Sequence, residues 1–175
     1  MNITAMYFSG TGTTKKVTAA IADELTEIKI SQDETAADEN PGSIKADIKP
    51  WQRAEDIDFT PPAARREIYR FTPDDLVVFG VPVIAGRVPN VLLKFLDTLQ
   101  GGGALAVPVV LYGNRNFDDA LIELRNILQD RGFYAIGAAA FIGEHSFSRI
   151  LAAGRPDSSD MELSRDFARK LAGKI

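Results

Sequence analysis

Cysteine is absent from the 175 residues, and histidine and tryptophan occur once each, as His145 and Trp51. Without cysteine there is no disulfide, no thiolate nucleophile, no zinc–thiolate centre and no cysteine-held iron–sulfur cluster. A single histidine excludes a histidine-rich metal site. No apolar run reaches the ~18 residues that a membrane span needs. No basic, apolar leader pattern opens the chain. A cytoplasmic protein with no membrane partner is therefore expected. Charge of one sign is not in large excess either. The formal net charge is −4, which argues against nucleic acid as the main partner, because a phosphate backbone selects a basic face.

What is present is the make-up of a globular protein, 45% apolar and 25% charged. The length suits a single domain over residues 1–175. A domain of about 150 residues buries about 70% of its unfolded surface, so the core can be large.

The apolar pattern alternates between two periods. Residues 3–8, ITAMYF, form a short apolar run bounded by turn residues, the mark of a buried strand. From Thr13 the period changes. Val17, Ile21, Leu25 and Ile28 recur at helical spacing with charged residues between them. Residues 31–54 break the rhythm with Pro41-Gly42 and Pro50. They exceed the usual two to six residues of such a connection, and a surface insertion is expected, with Trp51 packing it down. A weak edge strand is expected at 55–60 and a short helix at 63–69. The strongest strand is 76–81, LVVFGV, followed by a helix at 89–99 that Gly101-Gly102-Gly103 ends. A strand at 107–112, a helix at 118–131 closed by Gly132, and an alanine-rich strand at 133–142 come next. A long loop leads to a last helix near 159–173, with Asp157 and Ser158 as N-cap material.

Five strands alternating with five helices predict an α/β protein with a parallel sheet. Right-handed crossovers place helices on both faces. Such sheets bind ligands beyond the C-terminal strand ends, where the winding reverses. The loops after strands one, three and four are therefore the candidate site.

The first of these loops is Ser9, Gly10, Thr11, Gly12, Thr13 and Thr14, set between strand and helix. A helix N-terminus offers unpaired N–H groups and partial positive charge. Glycines allow close approach, and the hydroxyls add donors. This is a phosphate cradle with no cation inside the turn. The Walker pattern G-x-x-x-x-G-K-[ST] is absent, and Lys15 stands where a dinucleotide fingerprint needs its third glycine. Lys15 and Lys16 are expected to be solvated. The second loop carries Pro82, Val83, Ile84, Ala85, Gly86 and Arg87, and the third Gly113, Asn114, Arg115, Asn116 and Phe117. A flat aromatic ligand needs backbone groups along one edge and apolar faces. The second loop has backbone and small apolar surface for this, and the third has amides and one ring.

The pattern Ser9-x-Thr11-Gly12-x-Thr14 resembles the flavodoxin phosphate loop [TS]-x-T-G-x-T, which grips the terminal phosphate of FMN. The stretches YFSGTGTT, VVFGVPVIAGRVPN, LYGNRNFDDALIEL, FIGEHSF and AAGRPD together resemble the flavodoxin half of clostridial-type flavodoxin–ferredoxin fusion proteins. The resemblance implies a flavodoxin-like fold with five strands in the order 2-1-3-4-5. It also implies FMN as cofactor, with contacts at residues 9–14, 82–87 and 113–117. There are departures. The cysteine-rich ferredoxin half is missing, so the electron acceptor is expected to be a separate molecule. Ile84 stands where an aromatic is usual, which leaves Phe117 to stack on the ring. Flavodoxins are also usually more acidic, and residues 31–54 have no counterpart in them.

The expected function is electron transfer through FMN, with a redox protein such as a ferredoxin or reductase, or a small oxidant, as partner. The alternatives are an FMN-dependent NAD(P)H:quinone-type reductase and a phosphate-ligand binding module without redox activity. Arg87 and Arg115 would each raise a flavin potential if close to the ring; otherwise they pair with Asp118 or Asp119 on the surface. His145 is expected to tie down the long loop, and the alternative places it beside a flavin as a proton donor. No G-x-S-x-G elbow is present, which argues against hydrolase chemistry.

Overall fold

The computed structural model describes residues 1–39, 50–148 and 150–175. A parallel sheet runs through it, with helices on both faces. The elements in chain order are β1 (Asn2–Tyr7), α1 (Thr13–Glu39), β2 (Gln52–Arg53), β3 (Ile57–Asp58), a 3-10 turn (Ala64–Arg66) and β4 (Asp75–Pro82). Then follow α2 (Asn90–Leu96), β5 (Leu105–Tyr112), α3 (Ala120–Asp130), β6 (Tyr134–Ala135), β7 (Ala139–Ile142) and α4 (Ser158–Ala172).

The sheet has seven strands in the order β2-β1-β4-β5-β6, with β3 also on β1 and β7 also on β5. The expected five strands in the order 2-1-3-4-5 are corrected accordingly. The difference lies at the edges. β2 pairs with the start of β1 (Asn2↔Gln52) and β3 with its end (Met6↔Ile57), so two short strands share that edge. On the other side β6 pairs with Leu105 and Ala106, and β7 with Val109 to Tyr112. The run expected as one strand at 133–142 breaks at Gly137, where the side chain of Leu171 occupies the space a Cβ would need.

Strand alternation sorts the core into two halves. Ile3, Ala5 and Tyr7 of β1, with Leu76 and Val78 of β4, face α1 and α4. Met6, Val77, Phe79 and Val81 face α2 and α3, where Phe59, Leu92, Phe95, Leu124 and Leu128 complete the packing.

α1 is longer than its apolar stripe. Val17, Ile21 and Leu25 are buried, and the helix continues through SQDETAADE to Glu39. The expected insertion at 31–54 therefore divides. Residues 31–39 are helix, residues 40–49 lie outside the described residues, and Gln52–Arg53 form β2. Trp51 packs, partly buried, against the α1 side of the core. The expected helix at 63–69 is only the three-residue 3-10 turn. No described helix is long and apolar enough to cross a membrane.

One contact sets the height of α1 over the sheet. A Cβ on Gly80 would lie 2.1 Å from Thr18 Oγ1 and 3.0 Å from Thr14 Cγ2. Thr14 and Thr18 are buried, and Thr18 Oγ1 donates to Thr14 O at 2.8 Å. Gly80→Ala is expected to lower stability by about 1–3 kcal/mol through overpacking. Thr18→Ala in the same chain should recover part of that loss. Urea denaturation of the single and double variants tests it, and equal stability of wild type and Gly80→Ala would refute the contact's role.

Candidate functional site

The C-terminal ends of β1, β4, β5 and β7 frame a cavity of about 160 Å³. Its walls come from four segments. Phe8, Gly10, Thr11, Thr13 and Thr14 follow β1, and Pro82, Val83 and Ile84 lie at the end of β4. Leu111, Tyr112 and Gly113 lie at the end of β5, and Gly143, Glu144 and Ser146 follow β7. Of the residues expected from sequence, eight are in these walls: Gly10, Thr11, Thr13, Thr14, Pro82, Val83, Ile84 and Gly113. Ser9, Gly12, Ala85, Gly86, Arg87, Asn114, Arg115, Asn116 and Phe117 stand behind or beside them.

The first loop is anchored at both ends and open in the middle. The Ser9 N–H donates to Thr60 Oγ1 at 2.8 Å, and Ser9 Oγ accepts from the Lys15 N–H at 3.0 Å. The Lys16 N–H reaches Gly12 O at 3.0 Å. The N–H groups of Gly10, Thr11, Gly12, Thr13 and Thr14 make no hydrogen bond among the described residues. Gly12 has φ +86°, and a Cβ built on Gly10 or Gly12 meets nothing within 4 Å. Thr11 Oγ1 and Thr13 Oγ1 lie 3.3 Å apart, so two hydroxyls converge over the turn. Both lysines beyond the loop are exposed. Lys15 Nζ lies 5.8 Å over the Tyr7 ring, and Lys16 Nζ donates to Pro156 O at 3.1 Å.

The second and third loops are bolted to each other. The Ile84 and Arg87 backbones exchange hydrogen bonds at 3.0 and 3.1 Å around Ala85 (φ +51°) and Gly86 (φ +74°). The Asp119 N–H donates to Gly86 O at 3.1 Å, and the Val83 N–H to Leu111 O at 2.7 Å. A Cβ on Gly86 would come within 2.4 Å of Asp118 Oδ2. Arg87 turns away from the cavity and grips Glu123 of α3 with two bonds, at 2.9 and 2.6 Å. The partner is Glu123 rather than Asp118 or Asp119. Arg87, together with the Val88 N–H, holds the Glu123 carboxyl below the usual carboxylate range. Arg115 is exposed and forms no ion pair among the described residues. Asn116 is spent locally, donating to Asp118 Oδ1 and accepting from the Asp118 N–H. Phe117 is half-buried, edge-on to Tyr112 with centroids 5.4 Å apart. Tyr112, not Phe117, is the aromatic of the β5 end that reaches the cavity.

The segment after β7, expected to tie down the long loop through His145 or to set His145 beside a flavin, also supplies wall residues that were not among the expected contacts. Gly143 is held to Tyr112 O at 2.9 Å, and a Cβ on Gly113 would come within 2.7 Å of His145 Cα. That packing brings Glu144 and Ser146 into the wall. The far end of the loop is fixed at α4. Asp157 caps the helix by accepting from the Ser159 and Asp160 N–H groups, while the Asp160 carboxylate returns to the Asp157 N–H and binds Arg155. The Arg155 guanidinium, aided by the Asp157 N–H, holds the buried Asp160 carboxyl below the usual range.

The fold is that of the flavodoxins. The chain is similar to oxidised flavodoxin 2 of Bacillus cereus, with a TM-score of 0.60 at 16% identity over the whole of both chains. An archaeal flavodoxin gives 0.59 at 15% identity, over 99% of this chain and 98% of that one. An NADH:FMN oxidoreductase, EmoB, in its apo form gives 0.62 at 18% identity, over 99% of this chain and 89% of that one. No family model and no curated protein matches the sequence.

Two outcomes test the local geometry. Ala85 occupies the left-handed region, which costs an L-residue about 1–2 kcal/mol. Glycine's extra chain entropy returns about half of that. Ala85→Gly is expected to raise the thermal midpoint slightly, and a lower midpoint would refute the strain. Asp160 concerns pH. A carboxyl with a lowered folded pKa stabilises the fold above its unfolded value, about 3.9. That contribution is lost as pH falls through the lower folded value. Asp160→Asn should lower stability at neutral pH and weaken its acid dependence below about pH 4. Identical acid profiles for the two proteins would assign the dependence to another group.

Proposed function

We propose that this chain is a single-domain FMN protein that transfers electrons, close in kind to the flavodoxin half of the clostridial-type fusions. The observation that carries the reading is the turn from Gly10 to Thr14, with its unspent N–H groups and open glycines at the start of a long helix. Such a turn suits a phosphate dianion, since backbone donors and the helix dipole both favour negative charge. The fit extends beyond the phosphate. Ile84 and Tyr112 offer apolar and aromatic walls, and the bonds from Val83 N–H to Leu111 O and from Asp119 N–H to Gly86 O hold the β4 loop to either side of the β5 loop.

In this reading residues 9–14 hold the FMN phosphate, and residues 82–87 and 113–117 border the ring. Bound FMN supplies the redox chemistry, exchanging one or two electrons with a partner. The protein supplies position and electrostatics. Arg87 is neutralised by Glu123, so its charge does little to the ring. Arg115 remains the unpaired cation of the third loop among the described residues. The partner is a separate redox protein, such as a ferredoxin or a reductase, or a small oxidant. The alternative, an FMN-dependent reductase of a small oxidant, is favoured by a second cavity beside the first.

The test is a titration of the purified protein with FMN and with riboflavin, read by quenching of flavin fluorescence. FMN should bind far more tightly than riboflavin. Thr11→Val removes a donor to a charged group, worth about 1.5–3 kcal/mol, so FMN affinity should fall tenfold or more. Riboflavin affinity should not change. Equal loss for both ligands would move the phosphate elsewhere, and no uptake of FMN by the wild type would end the flavin reading.

A further inference from the structure

The segment from β3 to the 3-10 turn lies outside the three loops of the site, yet it holds the first of them. Phe59 anchors it to the core: the residue is fully buried, and its N–H donates to Tyr7 O at 3.0 Å. Thr60, next in the chain, has both backbone groups and its hydroxyl oxygen engaged. Its N–H donates to Asp58 Oδ1 at 2.8 Å, its carbonyl accepts from Arg65 at 2.5 Å, and its Oγ1 accepts from the Ser9 N–H at 2.8 Å. Pro61 and Pro62 follow, each with φ fixed by its ring. The 3-10 turn at Ala64–Arg66 then brings Arg65 back to the residues just passed. One guanidinium nitrogen donates to the carbonyls of both Phe59 and Thr60, at 2.8 and 2.5 Å. The group also lies 5.6 Å over the ring of Phe8, which lines the first cavity.

We infer that Thr60 is a positioning residue for the phosphate loop, and that Arg65 acts through it. The inference rests on the FMN reading above and adds a fourth segment to that site, one that is not part of the cavity wall. Ser9 is pinned from two sides, its N–H by Thr60 and its Oγ by the Lys15 N–H. The five N–H groups from Gly10 to Thr14 follow directly and make no bond of their own among the described residues. An N–H left without an acceptor is costly. Without the Thr60 oxygen the start of the loop shifts to satisfy Ser9, and the open arrangement of the next five donors is lost. That loss falls on a phosphate. The walls at Pro82 to Ile84 and Leu111 to Gly113 belong to other segments, so ring binding is left as it was. Arg65 keeps Thr60 in place by holding its carbonyl and that of Phe59.

The experiment titrates the wild type and its variants with FMN and with riboflavin, read by flavin fluorescence. Thr60→Val keeps the side-chain shape and removes the acceptor. It should lower FMN affinity about tenfold and leave riboflavin affinity unchanged. Thr60→Ser, which keeps the oxygen, should recover most of the loss. Arg65→Met removes both carbonyl bonds and leaves Thr60 itself in place. It should lower FMN affinity about threefold and add nothing in the Thr60→Val background. The inference falls if Thr60→Val binds FMN as the wild type does, if it loses FMN and riboflavin equally, or if Thr60→Ser recovers nothing. Losses that add in the double variant would make Arg65 a charge acting on its own and refute its action through Thr60. If Thr60→Val does not fold, Arg65→Met decides by the same comparison: selective loss of FMN upholds the inference, and unchanged or equal loss overturns it. A wild type that takes up no FMN removes this inference together with the flavin reading. FMN binding that Thr11→Val weakens and Thr60→Val does not removes only this one.

Discussion

The approach of α1 to β4 governs the site. Gly80 has no Cβ, so Thr14 and Thr18 descend onto the strand and are buried there. The helix N-terminus is thereby pressed against the end of the sheet. Its first N–H groups are left at the gap between strand ends, without an acceptor among the described residues. A bulkier residue at position 80 would lift the helix and swing the cradle away from the β4 and β5 loops. Gly10, Thr11 and Gly12 are exposed, so an outside acceptor can reach the unspent N–H groups of this turn.

The other walls are set by backbone rather than by side-chain charge. Val83 N–H to Leu111 O and Asp119 N–H to Gly86 O join the β4 and β5 loops into one unit. The tight turn at Ala85 and Gly86 holds Ile84 half-exposed at the cavity. Arg87 supports this unit through Glu123, which also accepts from the Val88 N–H at 2.8 Å. Its part is therefore structural: it fixes the end of the turn to α3.

Much of this was legible in the sequence, and the failures have physical causes. Strand runs such as LVVFGV and helical repeats such as Val17, Ile21, Leu25 signal burial, and burial is what periodicity reports. The extension of α1 through residues 31–39 was illegible because SQDETAADE has no apolar stripe; its helicity follows from propensity and continuity with a packed helix. The paired edge strands were illegible because two-residue strands carry no period. Of the site, the first loop was readable because its chemistry is local. Phe8 and Tyr112, which follow or end β1 and β5, are rings that line the cavity, and an expectation built on the loop residues, with Phe117 as its aromatic, does not reach back to these strand ends. Thr60, which holds Ser9, lies 51 residues away, and no local pattern connects the two.

The break in the last edge strand ties these features together. A continuous strand from 133 would pair along the whole of β5. The chain instead pairs with Leu105 and Ala106, steps aside at Gly137, and returns to pair with Val109 to Tyr112. It therefore leaves the sheet level with the end of β5, where Gly143 bonds Tyr112 O and His145 packs on Gly113. From there the loop must reach α4 on the face that α1 shares, and it is caught on the way. Lys16 of α1 takes Pro156 O, and Arg155 takes Asp160. The loop is thus held at β5, at the cradle helix and at the start of α4. Between these points Glu144 to Ser148 and Ala153 line the second cavity. The wall after β7 is in this sense a product of sheet topology. A strand that stops early places the chain over the site instead of beside it.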